Sequence, residues 1–294
     1  MIYDLNIHWT PTTGKDKLLQ TLVLASNLGY DTVAISHALE LPFPANPTSP
    51  LPHFPASSSE KKLPTVLHRA TLPLSDPAAS NYRLPSLMNV YDIIAIRPLT
   101  EKAFQNACLT LDIPIISLDF TQRFPFHFRP KPCMAAVTRG VRFEICYSQL
   151  LSGDNKARGL FIGNVTSLIR ATRGRGIIIS SEAKTALDLR APADVINLLN
   201  VWGLPGEKGS EALRAIPRSI VVNEGIKRKG FRGIINVVET ATPPNKSRNG
   251  SDTDAAIKSD NSMKRKNHSE AGQPSGKKAK KANLAARPGG STTK

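Results

Sequence analysis

Short apolar runs alternating with helix-patterned stretches limit what this chain can fold into. Ile2–Ile7, Thr32–Ser36, Thr65–Leu72, Asp92–Ile96, Pro114–Leu118, Val141–Cys146 and Gly176–Ser180 read as strands. Between them, Asp16–Leu28 carries a helical stripe through Leu18, Leu19, Leu22 and Ala25, closed by Gly29. Glu101–Leu111 and Arg158–Thr172 are helical, and Pro192–Trp202 places Pro at a first turn. Two further helical stretches, about Glu207–Ile216 and Arg218–Arg228, follow. Strands this apolar leave no face for water, so they belong to a parallel sheet covered on both sides. The expected class is α/β. Without a strong dinucleotide fingerprint, a closed or distorted TIM-like β/α barrel fits best, and an open doubly wound sheet is the other arrangement. No internal repeat is visible.

The pattern stops near Thr240. Residues 240–294 are rich in Pro, Ser, Asn, Gly and Lys and nearly free of large apolar groups. Such a segment cannot bury enough surface to offset its ordering entropy, so it reads as a disordered tail. It holds 12 Lys and Arg against 4 Asp and Glu; of the chain's net +16, half therefore stays on residues 1–239. The expected body, residues 1–239, is basic in its own right, which points to polyanionic partners. Residues 41–63 hold Pro42, Pro44, Pro47, Pro50, Pro52 and Pro55. Proline at that density blocks helix and ladder alike, so this reads as a surface loop inserted in the body. Cys108, Cys133 and Cys146 form no CxxC, which argues against a disulfide scaffold or zinc ribbon and for a reducing compartment. No secretory leader is evident, and the apolar runs are too short to cross a bilayer, so no membrane association is expected. In the tail, Lys264-Arg265-Lys266 and Lys277-Lys278-Ala-Lys280-Lys281 are spaced like a bipartite nuclear import signal; the other reading is a solvated tail that holds RNA nonspecifically.

Three groups of residues invite chemistry. Asp4, Asn6 and His8 alternate with Leu5 and Ile7, so a regular strand places them on one face. With His37 after the second strand and Glu182 after the seventh, they form either a metal-ligand set or a satisfied polar cluster at a barrel mouth. Too few His and carboxylate ligands converge for a typical hydrolytic metal site. Gln122–Lys131 interleaves Phe124, Phe126 and Phe128 with Arg123, His127, Arg129 and Lys131. These phenylalanines either stack bases or plug the barrel. In Arg173-Gly-Arg175-Gly, Gly174 reads as a left-handed helix cap that leaves both arginines free for phosphate. No Walker A, GxSxG or HExxH motif occurs.

Taken in order, Tyr3-Asp-Leu-Asn-Ile, Leu28–His37, Tyr91–Pro98, Thr100-Glu-Lys102, Arg123-Phe-Pro-Phe126, Thr138–Ser148, Ile178–Glu182 and Leu189–Leu198 resemble the TIM-barrel-type, thirty-kilodalton protein subunit family of eukaryotic nuclear ribonuclease P. The resemblance covers most of residues 1–239 and leaves out the tail and the proline-rich insertion. It implies a polymerase and histidinol phosphatase-like barrel. The chain itself would be a noncatalytic, RNA-binding scaffold in a ribonucleoprotein that removes 5′ leaders from precursor tRNA, shared with the mitochondrial-RNA-processing ribonuclease MRP that acts on ribosomal RNA precursors. Implied partners are both catalytic RNAs, a small α/β protein subunit and the other ribonuclease P proteins. No cofactor is implied for the chain, magnesium would sit at the catalytic RNA, and the location would be the nucleus and nucleolus. Metal phosphoesterases of that fold begin with His-x-His. Here Asn6 replaces the first His, Ser36 replaces an acidic residue beside His37, and Lys184 stands where a His is common, so Asp4, Asn6, His8, His37 and Glu182 read as vestigial. A metal-dependent phosphoesterase is the alternative function, and a generic chaperone of structured RNA a third. The basic candidates for RNA binding or assembly are Arg97, Lys102, Arg123, Arg129, Lys131, Arg139, Arg173, Arg175 and Arg190. Arg139 and Arg190 have a second expected role, pairing with Glu144 or Asp194 to hold loops.

Overall fold

A computed structural model of the 294-residue chain describes residues 1–39, 47–52, 54, 63–76, 84–231 and 235–236. The chain divides into two units, Met1–Thr240 and Ala241–Lys294. The import-signal residues Lys264–Lys266 and Lys277–Lys281, and most of the proline-rich insertion, lie outside the described residues.

The strands are β1 (Tyr3–Trp9), β2 (Thr32–Ala38), β3 (Thr65–Leu74), β4 (Ile93–Pro98), β5 (Ile115–Ser117), β6 (Arg142–Cys146) and β7 (Ile177–Ser180). All pair in parallel, in chain order from β1 to β7. The helices are α1 (Lys15–Asn27), α2 (Leu84–Met88), α3 (Glu101–Leu109), α4 (Pro130–Arg139), α5 (Ser148–Ser152), α6 (Asn155–Thr172), α7 (Pro192–Val201), α8 (Gly206–Leu213) and α9 (Ala215–Lys229). A short antiparallel pair, β8 (Gly230–Phe231) and β9 (Ile235–Asn236), follows α9.

The sheet is a near-closed barrel. Where an eighth strand would stand, the segment after β7 runs along β1. Glu182 N–H donates to Asn6 O (2.7 Å) and His8 N–H donates to Ala183 O (3.0 Å), with a parallel bridge between Ile7 and Ala183. Outward residues Val33, Ile35, Ile94, Ile96, Ile116, Phe143, Ile145, Ile177 and Ile179 pack against α1, α3 and α6 through Leu18, Leu22, Phe104, Cys108, Phe161 and Val165. Inward residues Tyr3, Leu5, Ala34, Ile93, Ala95, Ile115 and Ile178 form an apolar layer at the end where the strands begin, and Ile220 of α9 closes it.

Local chemistry sets the helix ends. Thr100 and Asp154 cap α3 and α6 by accepting from Ala103 N–H and Ala157 N–H. α4, which the sequence pattern does not suggest, starts on Pro130 and stops at Gly140, whose φ of +92° suits glycine. At the end of α6 the left-handed turn begins one residue earlier than expected, at Arg173 (φ 56°), and continues through Gly174. Within the proline-rich insertion, Leu51 is buried and Phe54 packs on the core, so part of this segment belongs to the body rather than standing clear of it.

Candidate functional site

Beyond the apolar layer the barrel interior turns polar. Arg69 of β3 is wholly buried, and its guanidinium meets Glu144 of β6 with two parallel bonds, Nη1–Oε1 at 2.5 Å and Nη2–Oε2 at 2.6 Å. Nη1 also donates to Leu5 O and Nε to Thr71 Oγ1. Glu144 further accepts from Asn6 Nδ2 (3.3 Å) and Ser180 Oγ (2.7 Å). Burial alone would raise the Glu144 carboxyl, but Arg69 and the Ser117 and Ser180 hydroxyls hold it below its ordinary value. Sequence reasoning missed Arg69. Its signal was a charge in the middle of an apolar parallel strand, where no face meets water and a charge must be paired.

One layer nearer the mouth stands a second pair, Arg97 Nη2 to Glu182 Oε1 at 2.7 Å. Glu182 Oε2 accepts from Gln149 Nε2 (2.6 Å), and Glu182 itself is left-handed (φ 55°) where the chain turns onto β1. A cavity of about 330 Å³ opens here, lined by Arg97, Gln149, Ser148, Asp119, Glu182 and Lys184. His8 is held below its ordinary pKa by burial, against the pull of Glu182.

Asp4, Asn6 and His8 do not share one face. Between the paired positions Asp4–Val33 and Ile7–Ile35, two residues of β1, Leu5 and Asn6, stand opposite one of β2, Ala34, a β-bulge. One extra residue reverses the facing of everything beyond it. Tyr3 and Leu5 therefore lie inside, whereas Ile7 and Trp9 join the outer core, and Asn6 turns inward to Glu144. Asp4 is left at the seam, where Oδ1 accepts from Ser181 N–H (3.0 Å) and Asn6 N–H (3.2 Å). Its Oδ2 is buried without a partner, and burial raises its pKa from 3.8 to about 6. His37 follows Val33 and Ile35 outward, edge-on to Trp9 with centroids 5.6 Å apart, and its Nδ1 meets Tyr91 OH (3.3 Å).

These residues do not suit a metal ion. Among the described residues, no three His, Cys, Asp or Glu side chains gather closely enough to hold one. The two inward carboxylates, Glu144 and Glu182, are already neutralised by Arg69 and Arg97.

The basic candidates divide between opposite ends of the barrel. Arg97, Lys102, Arg123, Arg129, Lys131 and Arg190 lie at or beyond the strands' C-terminal ends, whereas Arg139, Arg173 and Arg175 lie just before β6 and β7. The lengths of β6, 5 residues, and β1, 7 residues, set these ends on the order of 15–25 Å apart. Phe124, Phe126 and Phe128 pack into a cluster with Phe104, Phe120, Phe143 and Phe161, so these rings plug the outer core and are not exposed as base platforms. Arg123, His127, Arg129 and Lys131, alternating with them, remain exposed; Arg129 lies 3.9 Å from Glu101. Lys102 is exposed on α3. Arg139 does not pair with Glu144: its guanidinium donates to Cys108 O, Thr110 O and Leu111 O at the end of α3. Arg190 does not pair with Asp194: it donates to Leu187 O and Leu189 O, while Tyr30 OH and Tyr147 OH bond its backbone.

The family described as RNase P subunit p30 matches residues 1–229. The probable ribonuclease P protein subunit 3 of Schizosaccharomyces pombe is 36% identical over 238 residues, 80% of this chain and 99% of that protein. The ribonuclease P/MRP protein subunit RPP1 of Saccharomyces cerevisiae is 30% identical over 250 residues, 80% of this chain and 84% of that protein. Among solved structures, a chain of an archaeal ribonuclease P bound to mature tRNA superposes with a TM-score of 0.61 at 14% identity. That match covers 81% of this chain and all of the other, and it shows the same fold.

Proposed function

This chain belongs to the ribonuclease P subunit p30 family, and from that premise we propose that it is a noncatalytic, RNA-binding scaffold subunit of ribonuclease P, which removes 5′ leaders from precursor tRNA. The observation that carries the noncatalytic part is the state of the barrel interior. Where a barrel hydrolase of this kind gathers metal ligands, this chain sets Arg69 against Glu144 and Arg97 against Glu182. Arg69 grips both oxygens of Glu144, and Arg97 and Gln149 take one oxygen each of Glu182, so neither carboxylate is free to hold a metal or to act as a base on a phosphodiester. The chain's net charge of +16 supports the RNA-binding part, since each phosphate neutralised releases counterions.

A shared role in ribonuclease MRP and ribosomal RNA processing is supported by the name of the Saccharomyces cerevisiae relative. Assembly with the catalytic RNA, a small α/β subunit and the other ribonuclease P proteins is part of this reading and is supported by the subunit names of the relatives; in the same reading magnesium sits at the RNA. Nuclear and nucleolar residence is supported by the two basic clusters at Lys264–Lys266 and Lys277–Lys281. Among the described residues, no helix is long and apolar enough to cross a membrane.

The test is native purification of the tagged chain followed by a precursor-tRNA cleavage assay, with half the eluate pretreated with a nuclease that is then inactivated. Cleavage at the 5′ leader that disappears after pretreatment is the expected result. An eluate with neither cleavage nor a discrete RNA would remove the basis of the proposal.

A further inference from the structure

The end of the barrel opposite the mouth holds a half-buried cation whose charge no acidic side chain offsets among the described residues. Arg142 opens β6. Its Nη1 donates to Val137 O (3.1 Å), its Nε is buried without a partner, and burial draws its pKa down. It lines a cleft of about 350 Å³ between α9 and the starts of β5 and β6, together with Arg139, Ser219, Asn223 and Lys227. The two carboxylates of this cleft, Asp112 and Glu224, are both taken by Lys227. Removing a cation from water without a counter-charge is costly, and an anion brought into the cleft would relieve that cost.

The neighbours of Arg142 extend the positive charge. Phe143 pairs with Ile177, so Arg142 stands beside Gly176 on the adjacent strand. Any side chain at Gly176 would press on Val137 (2.7 Å from a Cβ) and approach Arg142 Nη1 (3.4 Å). The turn leading into Gly176 carries Arg173 and Arg175, both exposed, and Lys208 Nζ of α8 donates to Arg173 O (2.8 Å). Lys208, Arg173, Arg175, Arg142 and Arg139 therefore run continuously across two neighbouring turns and α8. None of the five has an acidic partner within 4.0 Å among the described residues.

We propose that this end of the barrel, where the strands begin, is a docking surface for the phosphodiester backbone of RNA, with Arg142 at its centre. The proposal rests on the reading of the chain as a ribonucleoprotein subunit and assigns that role to one particular face. Guanidinium forks on exposed turns suit successive phosphates, which they grip in pairs of bonds. Recognition of structured RNA proceeds largely by shape and backbone contact, which needs no aromatic platform. Neither turn carries an exposed large apolar side chain that could enter a lipid layer.

The experiment uses the full chain purified in its assembly and follows the RNA retained as salt is raised. The R173Q/R175Q variant is read first, because neither side chain makes a hydrogen bond or ion pair among the described residues. It is expected to lower RNA affinity roughly tenfold at fixed salt and to flatten the slope of log affinity against log salt by about 1.5. Adding Arg142→Gln should deepen both effects. The charge-matched K15Q/K17Q variant on α1 should leave them unchanged. If a folded R173Q/R175Q chain holds RNA as the unmodified chain does, the docking surface is wrong and the subunit reading stands. If it keeps its RNA and loses a protein subunit, the face binds an acidic protein and the proposal falls. If the unmodified chain brings down no RNA, the subunit reading fails first and takes the surface with it.

Discussion

Replacing Arg69 by Met would leave Glu144 in the barrel interior with two hydroxyls and an amide but no cation. Breaking a buried pair from one side costs about 3–5 kcal/mol, because the surviving charge is uncompensated. Arg69→Met should therefore lower the denaturant midpoint sharply, and the double variant R69M/E144L should recover much of the loss. Equal losses in both variants would mean that packing, not charge, makes the site sensitive. Asp4 gives a pH-dependent counterpart. Its carboxyl is raised from 3.8 to about 6 by burial. The folded state then holds a proton that the unfolded chain releases earlier, so this contribution is fully present below about pH 4. It declines as pH rises and is gone above about pH 6, a span worth up to about 3 kcal/mol. Asp4→Asn should flatten stability between pH 4 and 6 and raise it at pH 7; urea titrations across that range give the answer, and an unchanged slope would clear Asp4 of the role. Both residues are visible in the sequence as charges in apolar strands, but their partners are not. Glu144 lies 75 positions from Arg69, and only barrel closure brings them together.

At the scale of the element, the arginines separate into those that hold the fold and those that face solvent. Arg139 closes the end of α3 by satisfying three carbonyls, and a cation there also meets the negative end of the helix. Arg139→Gln should cost about 1–2 kcal/mol of stability, whereas Arg173→Gln should fall within about 0.5 kcal/mol of the unmodified chain. Thermal unfolding of the two variants distinguishes them; a matching loss at Arg173 would show that the turn before β7 leans on its side chain. The strands, α1, α3 and α6 were legible because their apolar period or a cap declares them. α4 was not, because the phenylalanine-rich run before it reads as one continuous proline-stiffened loop through Lys131. Its signals were nevertheless present, Pro130 at the first turn and Gly140 at the stop. The β1 bulge was illegible for another reason. Alternating Asp4, Asn6 and His8 look like a single regular face, and the extra residue appears only when the register with β2 is known.

Across the whole molecule, the barrel class follows from the alternation of strand and helix, but the meaning of its interior does not. A count of His and carboxylate residues near strand ends finds too few metal ligands; it does not find that arginines already hold the two inward carboxylates. Arg69 and Arg97 place two fixed positive charges in the polar core and mouth, where Glu144 and Glu182 meet them. A divalent ion entering either layer would have to displace a guanidinium already bonded to the carboxylate, leaving Arg69 buried and unpaired in the core or Arg97 half-buried and unpaired at the mouth. The folded chain should therefore bind metal too weakly to be stabilised by it. The expected outcome is that 1 mM manganese or zinc moves the thermal midpoint of the purified chain by less than about 1 °C. A ligand bound a hundredfold above its dissociation constant would add about 2.7 kcal/mol, which in a chain of this size is a rise of several degrees. A rise of that size, lost in Glu182→Gln, would show that the mouth accepts metal after all and would reopen the phosphoesterase reading. A flat response, together with precursor-tRNA cleavage that needs the RNA, fits a barrel whose mouth is held by arginine–carboxylate pairs and serves as a rigid support.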